Sequence, residues 1–147
     1  MPKIIDTKIT HEKVVLYDDG EDVFVEGDTS RDLFIIQEGE IEIFKKSPLG
    51  ELKLAVFKRG DFFGDMALLQ GGHRFAGAKA KGKTKLLVIQ PGGFLLKIRR
   101  DPTFAFEMLQ ALSLRIKVSN ERLLEVIQKG NIPKDKVEEI LQMLSGK

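Results

Sequence analysis

A chain of 147 residues with a net charge of +2 is long enough to bury one continuous core, and its charge is too small to imply a nucleic-acid partner globally. The balance of 42% apolar to 31% charged residues is that of a packed globular protein rather than a disordered or fibrous one. Without cysteine there are no disulfides and no thiolate chemistry, and His11 and His73 alone cannot furnish a histidine-rich metal centre. No apolar run nears the roughly 20 residues that cross a bilayer. Residues 1–10 also lack the apolar core of a secretory signal, so a cytoplasmic protein with no membrane association is expected.

From residue 10 to about residue 90, short runs rich in Val, Ile, Phe and Leu are broken by Gly, Asp or Pro. The pattern predicts strands over 13–17, 23–26, 33–38, 40–45, 52–58, 76–81 and 86–90. Turn signals at "DDG", "EGD", "SPLG", "KRGD" and "KGK" fall between them. In "EIEIF" strict alternation puts Ile41 and Ile43 on one face, Glu40 and Glu42 on the other. Such spacing belongs to small barrels and sandwiches, with Gly20, Gly27, Gly39 and Gly60 at the corners. Lys79, Lys81, Lys83 and Lys85 alternate and read as a solvated face.

After Pro91 the period changes from two to 3.6. Asp101-Pro102 supplies an N-cap and a first-turn proline for a long helix over 101–129, which Gly130 stops in the left-handed conformation with Pro133 beyond. Ala105, Leu109, Leu112, Ile116, Ser119, Leu123 and Val126 recur along it at four-three spacing. That stripe is either the seam of a two-stranded coiled coil or a face packed on the chain's own barrel. In the last segment, 130–147, Val137, Ile140, Leu141 and Leu144 share one side of a short amphipathic helix that docks on the same chain or on a partner.

One stretch carries chemistry, "FFGDMALLQGGHRFAGA" at 62–78. Gly64 precedes "DMALL", a short helix whose first peptide N–H groups are free to face an anion. Arg74 has a fork suited to two phosphate oxygens, whereas Asp65 repels phosphate and suits a sugar hydroxyl. Phosphate with a sugar hydroxyl describes a nucleotide. The plainer reading is a structural salt bridge from Arg74 to Asp65 or Asp61. Phe62 and Phe63 read as anchors in the core, and His73 as an exposed loop residue without chemistry.

Over "GEDVFVEGDTSRDLFIIQEGEIEIF" (20–44), "KRGDFFGDMALLQGGHRFAGAKA" (58–80) and "DPTFAFEMLQALSLRIKVSNERL" (101–123), the chain resembles the cyclic nucleotide-binding domain family, and within it the bacterial regulators of catabolite-activator type. The run Gly-Asp-Phe-Phe-Gly-acid-x-Ala-Leu-Leu…Arg-x-Ala is the specific part. The resemblance implies a mainly β fold with C-terminal α: a double-stranded β-helix, or jelly-roll-like β-roll, over 1–100 with a phosphate-binding cassette at 62–78. A long helix at 101–129 would cover the base and pair two copies, and a short helix would follow. Cyclic AMP or another cyclic mononucleotide is the implied ligand, with no metal and no catalysis. Carried over residue by residue, Gly64, Met66 and Ala67 offer backbone contacts to phosphate and ribose. Arg74 pairs with the phosphate, Asp65 holds the ribose 2′-hydroxyl, Ser119 and Asn120 touch the base, and Ile43 and Leu54 supply apolar lining.

Two positions depart from the family. Asp65 replaces the usual Glu and is shorter by about 1.5 Å, a gap that one water would bridge. Phe75 stands where Ala, Ser or Thr is usual, and is expected to crowd the phosphate or base and so lower affinity or alter base preference. The family's N-terminal helix is expected to be missing. Only 18 residues follow Lys129 (147 − 129), too few for a winged helix-turn-helix. The expectation is thus a stand-alone module without direct DNA binding, working as a homodimer through 101–129 on an unknown protein partner. The alternative is a degenerate dimerising or scaffold domain that binds no ligand. An enzymatic reading through metal-dependent cupins needs several His ligands with a Glu, which two distant histidines do not supply.

Overall fold

Tight turns of one chemistry reverse the chain three times before the cassette. In "DDGE", "VEGD" and "KRGD" the glycine stands third and the acid fourth, and the acid accepts the first residue's N–H. Asp18 N donates to Glu21 Oε1 (2.8 Å), Val25 N to Asp28 Oδ2 (2.9 Å) and Lys58 N to Asp61 Oδ2 (2.8 Å). These local bonds set the corners between strands before any long-range pairing.

The structure, a computed structural model, describes residues 2–8 and 11–144. It falls into two units, Met1–Arg100 and Asp101–Lys147. The first holds strands β1 (Lys3–Lys8), β2 (Glu12–Tyr17), β3 (Asp22–Phe24), β4 (Leu33–Ser47), β5 (Gly50–Phe57) and β6 (Phe62–Phe63), helix α1 (Asp65–Gln70), strand β7 (Gly77–Ile89) and helix α2 (Pro91–Arg100). The second holds α3 (Pro102–Lys129) and α4 (Lys134–Leu144). All strand pairs are antiparallel in the order β1-β2-β7-β4-β5, with β3 also on β7 and β6 on β4. This is the β-roll with C-terminal helices expected from the sequence.

Two long strands organise the roll, each of which the sequence reading divides in two. The β4–β7 ladder runs Leu33–Ile89 to Ile36–Leu86, shifts register around Gly39, and resumes at Glu40–Lys81 to end at Phe44–Gly77. β2 pairs with the far half of β7 and β3 with the near half, so the bend at the register shift carries both strands from one face of the roll to the other. The "KGK" stretch lies inside β7 at this bend rather than in a turn. The single hydroxyl proton of Thr84, buried, is shared between Glu40 O and Gly82 O, and Gly82 N donates to Asp19 Oδ1. A Cβ on Gly39, where φ is 86°, would lie 2.5 Å from Lys83 O and from Thr84 Oγ1.

Inside the roll Val15, Tyr17, Phe24, Phe34, Ile36, Ile41, Phe63, Leu86 and Val88 form the core. Phe34 stacks on Phe63 and Phe57 on Phe63, with centroids 5.0 and 6.2 Å apart. Phe62 and Phe63 are buried, as their reading as anchors requires. Outside, Lys79, Lys81 and Lys85 stand opposite Glu42, Glu40 and Glu38 in register, and Lys79 and Lys81 form ion pairs with Glu51 and Glu40. Three of the four lysines of the stripe are therefore matched by acids across the ladder.

Three elements escape the sequence pattern: β1, the two-residue β6, and α2. In α2 the poor helix formers Gly92 and Gly93 conceal a segment whose Phe94 is buried. In α3, Asp101 caps as expected, accepting from Phe104 N at 3.1 Å. The helix stop differs: Gly130 is right-handed (φ −83°), and Asn131, a residue that tolerates the left-handed region, takes the positive φ of 51°. Of the seam, Leu109, Ile116, Ser119 and Val126 are exposed while Met108 and Ile127 are the buried positions of the helix. In α4 Val137 and Ile140 are half-buried and Leu141 is exposed; the Leu144 side chain lies outside the described residues. No helix among the described residues is long and apolar enough to cross a membrane.

Gly39→Ala combines a disfavoured backbone conformation with collision against backbone, and is expected to remove about 2 kcal/mol or more, lowering the melting temperature by roughly 5–10 °C. Gly82→Ala, with positive φ but no neighbour within 4 Å, should cost about 1 kcal/mol. Equal effects in thermal melts would show that the close approach at Gly39 is immaterial.

Candidate functional site

Gly64 opens the site. Its φ is 83°, and a Cβ there would lie 2.9 Å from Arg74 Nη1 and 2.9 Å from Asp32 O, so glycine alone lets this backbone pass against Arg74. The helix α1 that follows is short, and the N–H groups of Met66 and Ala67 belong to its first turn, without intrahelical acceptors. At its far end Gly71 N donates to Ala67 O. Arg31 grips that same end, donating from Nε to Ala67 O (3.1 Å) and from Nη2 to Leu68 O (2.9 Å). A cation there suits the partial negative charge of a helix C-terminus.

Arg74 is only 3% exposed. Its guanidinium carbon sits 4.2 Å from the centroid of the Phe24 ring and 5.7 Å from that of Phe34. Nε donates to Ser30 Oγ (3.2 Å), Nη1 to Gly64 O (3.1 Å) and Nη2 to Asp32 O (2.9 Å). Burial pushes its pKa below the ordinary value, and Asp32, Asp28 and Asp65 pull it back up. It remains a cation. Its acceptors are two carbonyls and a hydroxyl, which is not the carboxylate pair with Asp65 or Asp61 that the plainer sequence reading offers; the Asp61 carboxylate instead accepts Lys58 N–H.

Next to Arg74 is a cleft of about 520 Å³, within the size range of small-ligand sites. Met66, Ala67 and Gln70 line it from α1, Arg74 and Phe75 from the loop beyond, Glu26 from the turn 25–28 and Lys45 from β4. The turn 25–28 is docked on this loop through Gly27 N to Arg74 O (2.9 Å) and Arg74 N to Asp28 O (2.7 Å). His73, an exposed loop residue as the sequence reading has it, borders the cleft, and its Nδ1–H donates to Gly27 O at 2.9 Å.

Phe75 is 55% exposed, and its ring lies 4.1 Å from Lys45 Nζ. The same ammonium donates to Phe75 O (2.8 Å) and to Glu26 Oε1 (2.6 Å). Glu26 Oε2 accepts Lys46 N–H (3.1 Å), and these two bonds, the Lys45 one first, hold the Glu26 carboxyl below its ordinary pKa. A ring expected to press on phosphate or base is thus engaged with a lysine.

Of the residues singled out in the sequence, Gly64, Met66, Ala67, Arg74 and Phe75 come together here, with Asp65 as the first residue of α1. Ile43 and Leu54 are not among those lining the cleft. Ile43 packs against the core, and Leu54, 46% exposed, sits at the bulge between the pairs Ile43–Ala55 and Phe44–Lys53. Ser119 and Asn120 stand exposed on α3, in the second unit. Arg31, Glu26 and Lys45 are absent from the sequence reading; the only local signal was the turn motif containing Glu26. No group of three or more His, Cys, Asp or Glu among the described residues is placed to hold a metal ion.

A family model described as the cyclic nucleotide-binding domain matches residues 14–101, more than half of the chain. The cyclic AMP receptor protein of Thermus thermophilus is 31% identical over 123 residues, covering 83% of this chain and 57% of that protein. A regulatory subunit of cAMP-dependent protein kinase from Mycosarcoma maydis is 40% identical over 68 residues, 46% of this chain and 13% of the subunit. Among solved structures, the catabolite activator protein of Thermus thermophilus superposes with a TM-score of 0.71 at 31% identity, covering 79% of this chain and 55% of that one. The chain thus spans little more than half the length of the two Thermus proteins and a small part of the kinase subunit.

The lowered pKa of Glu26 sets the sign of a pH effect. The carboxylate binds a proton less readily folded than unfolded, so its contribution to stability is present above the unfolded value of about 4.3 and is lost as pH falls through the lower folded value. Glu26→Gln should therefore be slightly less stable near neutrality and lose less than the parent on acidification. Parallel acid-unfolding curves for the two proteins would refute this.

Proposed function

The chain belongs to the cyclic nucleotide-binding domain family, and on that premise we propose that it is a receptor module for a cyclic mononucleotide, cyclic AMP being the first candidate. The observation that carries this reading is the state of Arg74: a buried cation satisfied by neutral acceptors beside a nucleotide-sized cleft. A guanidinium has five N–H donors, and one each on Nε, Nη1 and Nη2 is used, which leaves two for the oxygens of a phosphate. In this reading the first-turn N–H groups of Met66 and Ala67, two residues that line the cleft, are further donors for the same phosphate. Asp65 is the acceptor for the ribose hydroxyl in this reading, which does without Ile43 and Leu54, since neither lines the cleft. Cyclic AMP is preferred because relatives named for that ligand are 31% identical over 123 residues and 40% identical over 68.

Output runs through α3. Leu109, Ile116 and Val126 are each more than 60% exposed along its seam, an apolar stripe suited to the same stripe of a second copy. Ligand that binds one arrangement of the pair better than the other shifts the balance between them, and a protein partner reads the result. The regulatory role needs no catalytic group in the chain.

Melting of the purified protein should rise with millimolar cyclic AMP or cyclic GMP: at a hundred times the dissociation constant a native-state ligand adds about 2.7 kcal/mol, or roughly 5–10 °C here. Arg74→Ala, compared with its own unliganded melt because it also loses internal hydrogen bonds, should show no such rise. A parent protein indifferent to both nucleotides would make the scaffold reading the better one. For the dimer, Ile116→Glu should halve the mass measured by light scattering; an unchanged mass would remove the seam from the account.

A further inference from the structure

The cleft contains a second cation, which the family resemblance leaves without a task. We propose that Lys45 is a phosphate contact: on entry of a cyclic nucleotide its ammonium exchanges Glu26 for a phosphate oxygen, and Phe75 holds it in position for that exchange. This rests on the cyclic nucleotide reading of the site.

Placement comes first. Lys45 Nζ is tethered at 2.8 Å to the carbonyl of Phe75, the residue directly after Arg74, and Lys45 and Arg74 line the same cleft. The Phe75 ring adds a π face 4.1 Å from the same nitrogen. Ring and carbonyl together keep the charge at the cleft whether or not Glu26 holds it. A small residue at this position would offer the carbonyl without the ring, so the replacement that looks obstructive in the sequence acquires a purpose.

Exchange must also leave no stranded charge. Glu26 Oε2 already accepts Lys46 N–H at 3.1 Å, so the carboxylate keeps a donor when Lys45 turns away. Both side chains are partly exposed, Lys45 to 32% and Glu26 to 23%, so water reaches the pair during the change. The phosphate then faces two cations, Arg74 and Lys45, while Glu26 competes with it for the second. In this arrangement Glu26 opposes binding, although it supports the fold.

Calorimetric titration of the full chain with cyclic AMP and with cyclic GMP tests this, with Lys45→Met and Glu26→Gln beside the parent. Lys45→Met should weaken both nucleotides by about tenfold or more and by a similar factor, since a phosphate contact ignores the base. Glu26→Gln should tighten both by roughly three- to tenfold. A purely structural Glu26–Lys45 clamp would make both variants weaker, and that result overturns the proposal, as does unchanged affinity in either. Loss confined to one nucleotide would move Lys45 to the base and overturn it too; if the parent takes only one nucleotide, the opposite signs of the two variants decide. Unliganded melts of each variant show whether it is folded. A parent that binds neither nucleotide brings down the receptor reading and this one with it, whereas parental binding with wrong signs in the variants sinks this one alone.

Discussion

A guanidinium enclosed by phenylalanine rings is the constraint around which this molecule is arranged. Placing a charge at 3% exposure is unfavourable unless every direction offers compensation. Arg74 finds it in the faces of Phe24 and Phe34, the carbonyls of Gly64 and Asp32, and the hydroxyl of Ser30. Those partners belong to β3, β4, the loop between them and the entry to α1. One side chain therefore fastens the loop around 74 to the core, and Phe24 and Phe34, which pack on Phe63, also meet the guanidinium.

The long strands convert this local anchor into a cleft with two sides. β4 contributes Phe34, whose ring centroid lies 5.7 Å from the Arg74 guanidinium carbon, near its start and the cleft-lining Lys45 near its end, with the register shift around Gly39 between them. β7 carries the partner of each half. Electrostatically the two sides differ: the guanidinium is met by neutral groups, the ammonium by a carboxylate.

Much of this was legible in the residues, and the parts that were not share a cause. Turns announced themselves because glycine and a following acid act within four residues. The division of β4 and β7 into halves was visible at Gly39 and Gly82, although only pairing shows that the strands continue through them. The cassette was legible because its parts adjoin in sequence, and the Asp101 cap for the same reason. Lys45 was not, since its contacts with Glu26 and Phe75 span 19 and 30 residues and depend on strand register. Arg31 is likewise 36 residues from its acceptor. The helix stop failed for a subtler reason: Gly130 and Asn131 both tolerate the left-handed region, and propensity favours the one the chain did not use.

Three consecutive residues hold both ends of α1. Ser30 Oγ and Asp32 O accept from Arg74, which in turn reaches Gly64 O at the helix start, while Arg31 between them takes the carbonyls of Ala67 and Leu68 at its close. The tripeptide works as a gauge block, accepting a helix of one length. A residue added within 65–69 would pull one end out of reach of its arginine, whereas Gly71 and Gly72, with no neighbour within 4 Å of an added Cβ, lie outside the gauge. Residues added in the loop between Gln70 and Arg74 would instead leave the Arg31 grip on Ala67 and Leu68 and the Arg74 bond to Gly64 in place.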